Sequence, residues 1–494
     1  MASVLRDSIM RDIFLTIGGS DSSSGAGIQA DIKTANNIGV HVCTVISCVT
    51  AQNSTSILNI EKVYKDSFKE QIQAISSDFK IKVIKTSVLS SIEQIDIVVD
   101  LLNDLKDVFY ICDPVMVSTT GYSLVDYKLV EYSKRKLYPL ANILVPNLDE
   151  AKTLLDEYDS SNMEVVEIAK AIQKKYNCKS VLLKGGHDSY KNISLDYYYS
   201  PEVNYKLIST RHKLDEKVRG TGCTFSSAIA SFLTLGFDIN NSIVLAKSYI
   251  SNAIKSSQKI ASHGCLIVGA EYINKQGLFP KVSMHGKDLN IKFRSINKIG
   301  FYPIVDNASK IPGLANLGIK TIQLRIKSND NKHIQKHIVE AVEYQNKYGL
   351  QLFINDYYDL AIKYKAFGIH LGHDDLLSID KKTLLKIKNT DMALGLSTHD
   401  YYELAIALGV NPSYVALGPI YTTTTKKMKF APQGIARIHE WLNITDTPLV
   451  TIGGIKKRHI QSLASIGVDG VAVVTLIDEI SNHEIQNIVK LLEK

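Results

Sequence analysis

The residues best suited to chemistry lie in short glycine-rich or acidic clusters, each placed directly after an apolar run. Gly220-Thr221-Gly222-Cys223 precedes the helical stretch Thr224–Phe232. Glycines let backbone N–H groups turn inward, and a helix start adds partial positive charge, so this loop can hold a phosphate. Cys223 at its end is placed to act on a nearby hydroxyl, as a base if the helix N-terminus lowers its pKa. The same four residues also make an ordinary glycine turn with Cys223 as a small buried filler, and spacing alone does not separate the two readings. Further clusters follow other strand-like runs: Gly18-Gly19-Ser20-Asp21, with Gly25-Ala26-Gly27 and Asp31 just beyond, then Thr50-Ala51-Gln52-Asn53, Asp113-Pro114, Asn147-Leu148-Asp149-Glu150 and Lys184-Gly185-Gly186-His187. In an open α/β sheet the carboxyl ends of the strands form the ligand crevice, so these clusters converge on one place. Taken singly, Asp31 or Asp113 is more often a helix cap than a catalytic group.

A second set lies in the C-terminal part. Its clusters are Gln323-Leu324-Arg325-Ile326-Lys327, Asn355-Asp356, His370-Leu371-Gly372-His373-Asp374-Asp375, Ser397, Thr422-Thr423-Thr424-Thr425-Lys426-Lys427, Gly453-Gly454 and Val474-Thr475. Asp356 and Asp375 fall on neighbouring strands and can share one hard cation, for which magnesium with its one or two protein carboxylates is the best fit. Arg325, Lys327 and Lys426 would face the same polyanion, and the glycine amides late in the series suit a phosphate. The alternative for this set is that Asp374 and Asp375 cap a helix and the lysines are solvated.

The elements that must position these residues form two α/β series. Strand-like runs at Ile13–Ile17, Val42–Val49, Lys82–Thr86, Val108–Ile111, Ile143–Val145 and Val181–Leu183 alternate with helix-length intervals, the pattern of a mainly parallel sheet. Asp196–Arg211 reads as an antiparallel hairpin, and Gly222–Leu235 and Asn240–Ser257 read as helices. Lys275–Lys298 lacks periodicity and is expected to be a linker between residues 10–274 and 299–494. Eight short runs then follow, from Tyr302–Val305 to Gly470–Val474, each with a helix-length interval, which predicts a (β/α)₈ barrel.

Composition narrows the function class. Of 494 residues, 45% are hydrophobic and 22% charged, an ordinary globular balance, and a net charge of +7 suits anionic small molecules better than nucleic acid. No apolar run reaches the roughly 18 residues of a membrane helix. Residues 1–12 carry Arg6, Asp7, Arg11 and Asp12 without an apolar stretch, so no secretory signal is read and a cytoplasmic protein is expected. The six cysteines form no CxxC pair, which argues against a zinc site or a disulfide framework. The expected partners are small-molecule substrates, with no nucleic acid and no membrane, and a homo-oligomer stays open.

On the first set of motifs, about Phe14 to Gly269 resembles the hydroxymethylpyrimidine kinase/phosphomethylpyrimidine kinase family of thiamine biosynthesis, which is ribokinase-like. The resemblance implies an open sheet with helices on both faces and ATP as co-substrate with Mg2+. It gives Gln52, Gly19, Ala26 and Asp31 to the pyrimidine, Lys184, Asn147, Glu150, Gly220 and Gly222 to ATP and its phosphates, and the base position to Cys223. The sequence departs from that family at Ser24, at Arg219 where histidine is usual, and at Ile260-Ala261-Ser262-His263-Gly264, where a lysine is missing, which implies slower kinase turnover. About Phe301–Ile488 resembles thiamine-phosphate synthase, a TIM barrel. That resemblance gives the pyrimidine diphosphate to Gln323, Leu324, Arg325, Ile326, Lys327, Asn355, Ser397 and Lys426, and Mg2+ to Asp356 and Asp375. The thiazole phosphate goes to Thr423, Thr424, Thr425, Gly454, Val474 and Thr475. The implied whole is a bifunctional enzyme; the alternative is a pyridoxal-type kinase fused to a non-catalytic ligand-sensing barrel.

Overall fold

The computed structural model describes residues 12–117, 122, 124–155, 163–185, 192–210, 218–260, 264–265, 277–284, 292–423 and 430–493. The chain divides into two compact units, Met1–Pro280 and Lys281–Lys494.

The first unit is built on one twisted sheet. Its strands are β1 (Ile13–Asp21), β2 (Val42–Gln52), β3 (Ile57–Lys62), β4 (Ile81–Thr86), β5 (Phe109–Cys112), β6 (Ile143–Leu144), β7 (Val181–Gly185), β8 (Ile193–Tyr199) and β9 (Asn204–Thr210). They lie in the order β9-β8-β7-β6-β5-β4-β1-β2-β3. Pairing is parallel from β2 through β1 and β4 to β7, and antiparallel at both ends, β2 with β3 and β7 with β8 and β9. The central strands are continuous apolar runs because helices cover both faces; Phe14, Leu15, Ile17, Val83 and Ile84 have no exposed surface. The strand order reverses between β1 and β4, so the loops after β1, β2, β5, β6 and β7 open on a common crevice. The edge strand β3 has no apolar run to announce it, and its Leu58 is exposed. A short antiparallel pair, β10 (Gln258–Lys259) and β11 (Gly264–Cys265), follows the last long helix, Ile239–Lys255.

The helix Thr221–Thr234 is buried almost all round, which its small residues Ser226, Ser227, Ala228, Ala230 and Ser231 permit. Its N-cap Gly220 has φ +76°, and a Cβ there would stand 2.0 Å from the Gly25 carbonyl oxygen. Only glycine fits, for both reasons, and the phosphate-type loop is thereby pressed against the loop after β1.

The second unit is a closed parallel barrel of β13 (Gly300–Val305), β14 (Thr321–Leu324), β15 (Gln351–Asn355), β16 (Gly368–Leu371), β17 (Ala393–Thr398), β18 (Tyr414–Leu417), β19 (Leu449–Ile452) and β20 (Gly470–Val473). Aromatic rings fill its interior: Tyr302, Phe353 and Tyr414 pack edge to face, with Phe353 and Tyr414 centroids 5.2 Å apart. Gly395 makes room for them, since a Cβ there would lie 2.1 Å from the Tyr414 ring.

The division at Pro280/Lys281 falls inside the stretch expected to be a linker. Its described residues are packed. Leu278, Phe279, Val282 and Phe293 are all buried. In the second unit, the short strand β12 (Lys281–Ser283) lies against the helix Tyr401–Val410, and Lys281 Nζ donates to Asn411 Oδ1 at 2.7 Å. Arg294 lies over the Phe367 ring, 4.7 Å from its centroid.

Candidate active sites

The kinase-type site is assembled from five strand ends. Asp113, after β5, is buried and receives Lys184 Nζ at 2.8 Å and the Ser226 hydroxyl at 2.8 Å. Lys184 itself ends on the glycine loop, where a Cβ on Gly222 would lie 3.4 Å from Nζ. Burial works against the Lys184 charge, but Asp113 and Glu150 outweigh it and hold the pKa up at about 12. Asn147 and Glu150 form a reciprocal capping box: the Glu150 N–H donates to Asn147 Oδ1 at 2.8 Å, and the Asn147 N–H to Glu150 Oε2 at 2.7 Å. Burial raises the Glu150 carboxyl to about 7, partly offset by Lys184 and reinforced by Asp113. The structure thus brings Gly220, Gly222, Lys184, Asn147, Glu150 and Cys223 together, with Asp113 and Ser226 as the links between them.

Two expectations for this unit are corrected. Burial, the dominant influence, pushes the Cys223 thiol up to about 11; Lys85 pulls it down, while Asp31 and Asp113 push it further up. The helix N-terminus therefore does not make a thiolate in this state. Asp31 does not line a pocket. It is sealed at 0% exposure, receiving Lys85 Nζ at 2.6 Å, Thr16 Oγ1 at 2.5 Å and the Ser227 hydroxyl. Adjacent serines on one helix, Ser226 and Ser227, therefore reach two different buried carboxylates.

The residues expected to meet the pyrimidine sit on the loops after β1 and β2. Asp21 folds the first loop by accepting the N–H groups of Ser23, Gly25 and Ala26. Gln52 closes β2 with its backbone N–H on Ser22 Oγ at 2.9 Å, and its side-chain Oε1 takes a 3.3 Å bond from Thr50. Gly19 is buried against Cys48, whose Sγ would lie 3.1 Å from an added Cβ. Gly186 and His187, and Ala261, Ser262 and His263 of the departing segment, lie outside the described residues.

The barrel site has a different character. Gln323 Nε2 donates to the Tyr302 hydroxyl at 3.1 Å, the Tyr302 and Tyr414 hydroxyls are 2.9 Å apart, Tyr414 meets His370 Nδ1 at 2.8 Å, and His370 Nε2 meets Ser397 Oγ at 2.9 Å. With Gln323 donating in, every member is satisfied if each hydroxyl donates onward to His370 Nδ1 and Nε2–H donates to Ser397. Burial, then Arg325, lowers the His370 pKa to about 3, so its imidazole is neutral. Gln323 and Ser397, read separately from the sequence, are the two ends of one chain. The three residues between them were not singled out as ligand contacts. A signal for one exists: Gly395, inside β17, is in register with Tyr414, and a strand-interior glycine marks close approach.

Asn355 ends β15 and is buried, paired with His370 on β16. Asp356 follows it with φ +66° and is exposed. Asp375, after β16, accepts the Gly372 N–H at 3.1 Å. Among the described residues no group of three or more His, Cys, Asp or Glu could hold a metal. Asp356 and Asp375 follow the neighbouring strands β15 and β16, and one or two carboxylates are the protein ligands magnesium takes before completing its shell with water and phosphate. Leu324 and Ile326 are buried apolar side chains, and Leu324 faces away from Gln323 because side chains alternate along β14, so any ligand contact they make is through the backbone. Gly454 has φ +65°, and a Cβ there would lie 2.3 Å from the Thr422 carbonyl oxygen, so the two phosphate-type loops touch. Thr423, Val474 and Thr475 are described; Thr424, Thr425 and Lys426 lie outside the described residues.

Residues 21–267 match the family model described as phosphomethylpyrimidine kinase, and residues 302–477 match the one described as thiamine monophosphate synthase. A thiamine biosynthetic bifunctional enzyme of Arabidopsis thaliana is 29% identical over 479 residues, covering 94% of this chain and 89% of that protein. A thiamine-phosphate synthase of an Enterobacter species is 40% identical over 189 residues, 38% of this chain and 88% of that one. A solved phosphomethylpyrimidine kinase from Clostridium difficile is 35% identical, with 49% of this chain and 99% of that chain covered and a TM-score of 0.42. The Arabidopsis protein is named as chloroplastic, which overturns the cytoplasmic expectation. The lack of an apolar N-terminal stretch speaks only to secretion, because organelle leaders are amphipathic rather than apolar. No helix among the described residues is long and apolar enough to cross a membrane.

Proposed function

Because the chain belongs to the phosphomethylpyrimidine kinase family over residues 21–267 and to the thiamine monophosphate synthase family over residues 302–477, we propose that its two crevices catalyse successive steps on one pyrimidine. It is a bifunctional enzyme of thiamine biosynthesis, a kinase and a thiamine-phosphate synthase in one chain. The finer reading is that the first unit phosphorylates hydroxymethylpyrimidine and then its monophosphate with ATP. The second joins the diphosphate to thiazole phosphate, releasing pyrophosphate. The observation that carries this is the convergence of Lys184, Asp113, Asn147–Glu150 and Cys223 around the glycine loop.

In the kinase, positioning and charge neutralisation do most of the work of phosphoryl transfer. Lys184 and the amides of Gly220–Gly222 hold the transferred phosphate, and Gln52 presents its amide to the pyrimidine edge. Cys223 accepts the hydroxyl proton only after it has lost its own. Burial chiefly opposes that loss, with Asp31 and Asp113 adding to it and Lys85 working against it.

In the synthase, Arg325, Lys327 and Lys426 meet the pyrophosphate, and Gln323 and Ser397 orient the ring. Asp356 and Asp375 would hold magnesium, which supplies charge stabilisation to the leaving pyrophosphate. Breaking the methyl–oxygen bond leaves positive charge on the pyrimidine. A neutral His370, hydrogen-bonded to Ser397, avoids the repulsion an imidazolium would add.

The test is the purified chain with ATP, magnesium, hydroxymethylpyrimidine and thiazole phosphate, with pyridoxal as a competing kinase substrate. Thiamine phosphate is the expected product. Phosphorylation of pyridoxal in preference to the pyrimidine, with no thiamine phosphate, would reject the reading.

A further inference from the structure

Arg219 is a buried cation that the mechanism above leaves unused. It directly precedes Gly220 and is 4% exposed. Its Nη1 donates to the Asn53 carbonyl oxygen at 2.6 Å and to Ser23 Oγ at 3.2 Å, and Nη2 lies 3.6 Å from Asp21 Oδ2. Its Nε is buried with no hydrogen-bond partner among the described residues.

Each loop it reaches is already folded on an acceptor of its own. Asp21 collects three backbone N–H groups and the Ser23 hydroxyl. Asn53 Oδ1 collects the N–H and hydroxyl groups of Thr55 and Ser56. Ser22 ties the two loops, exchanging hydrogen bonds with the Gln52 backbone. These are the loops that carry Ala26 and Gln52. Arg219 fastens both to the glycine loop, and the close approach of Gly220 to Gly25 leaves no slack between them.

We propose that Arg219 is a positioning and specificity residue of the kinase, holding the pyrimidine loops in register with the phosphate loop. A guanidinium can serve three acceptors in different directions, whereas an imidazole has two N–H groups and an ammonium lacks the planar fork. Without it, the Asp21 carboxylate, 3% exposed, loses its cation and the Asn53 carbonyl loses its donor. The loosening falls on the pyrimidine side. The ATP side is held separately by Lys184, Asp113 and the Asn147–Glu150 box. The proposal rests on the placing of the pyrimidine at Gln52 and Ala26.

The experiment is steady-state kinase kinetics on the full chain for Arg219→Met, Arg219→Lys and Gln52→Ala, with the synthase rate measured in the same preparations. Arg219→Met is expected to raise the KM for hydroxymethylpyrimidine about tenfold, with Arg219→Lys in between, while the KM for ATP and the synthase rate stay at wild type. A wild-type pyrimidine KM in Arg219→Met overturns the proposal, as does an equal rise in both KM values, which would mark general damage. If Arg219→Met does not fold, Arg219→Lys decides: a pyrimidine KM raised about threefold supports the proposal, and a wild-type value overturns it. Gln52→Ala separates the two levels. A raised pyrimidine KM there beside wild-type Arg219 variants removes only the role of Arg219, whereas a wild-type KM in Gln52→Ala removes the pocket itself.

Discussion

Around the glycine loop of the first unit the polar side chains are charged and paired, Lys85 with Asp31, Lys184 with Asp113 and Arg219 with Asp21. Inside the barrel the corresponding positions are neutral: Gln323, Tyr302, Tyr414, His370 and Ser397 form one hydrogen-bonded chain. The difference follows the scaffold and the chemistry together. The crevice of an open sheet is made of strand ends, helix starts and loops that no closed cylinder holds, and ion pairs tie them together. The barrel closes on itself, so its interior needs only satisfied hydrogen bonds to fix side chains. A kinase moves a group of high negative charge, while the proposed synthase step leaves positive charge on the pyrimidine, which a neutral interior does not oppose.

The comparison breaks most visibly at the charged rim of the barrel. Asp356→Ala or Asp375→Ala is expected to cut condensation by at least ~10³-fold while kinase turnover is unchanged, because the proposed role of these carboxylates is on the leaving pyrophosphate alone. Condensation at the wild-type rate in Asp375→Ala would remove that residue from the site. Next in size is the buried pair. Lys85→Met strands the Asp31 carboxylate, which should destabilise the first unit by about 3–5 kcal/mol. Trp441, the only tryptophan and fully buried in the second unit, provides the control. Its unfolding transition should stay in place while the heat inactivation of the kinase moves to lower temperature. A common shift of both would contradict the separate accounts.

A smaller effect sharpens the neutral side. The folded His370 pKa of about 3 lies below the unfolded value of 6.5. Its contribution is therefore complete above pH 6.5 and is lost as pH falls through 6.5 toward 3. Roughly 2 kcal/mol of barrel stability should disappear between pH 7 and pH 5 by this route. Urea unfolding followed by Trp441 fluorescence should show that slope in the wild type and a shallower one in His370→Gln. Equal slopes would mean that His370 does not titrate as described.

Much of this was legible from sequence, and the limits have physical causes. Strand runs such as Val181–Leu183, Tyr302–Val305 and Gly470–Val474 fall on the observed strands β7, β13 and β20, because buried parallel strands are unbroken apolar segments. β3 was invisible because an edge strand needs no such run. The packed residues Leu278, Phe279, Val282 and Phe293 escaped because single buried residues in irregular chain carry no period. Within the sites, motif position placed Asp31 in the stretch after β1 and Cys223 at the start of a helix. It could not reveal that Lys85, distant in sequence, seals one and that burial raises the other. The Gln323–Ser397 chain depends on register between strands that sequence does not display.

Two independent active sites in series can be separated by a bypass assay on Cys223→Ala. Given ATP, magnesium, thiazole phosphate and hydroxymethylpyrimidine, the variant should form thiamine phosphate about 10²-fold more slowly than the wild type, the size expected for losing a positioned proton acceptor. Given ready-made pyrimidine diphosphate instead, it should match the wild type. Wild-type output from hydroxymethylpyrimidine, or failure of the supplied diphosphate to restore the rate, would contradict the account.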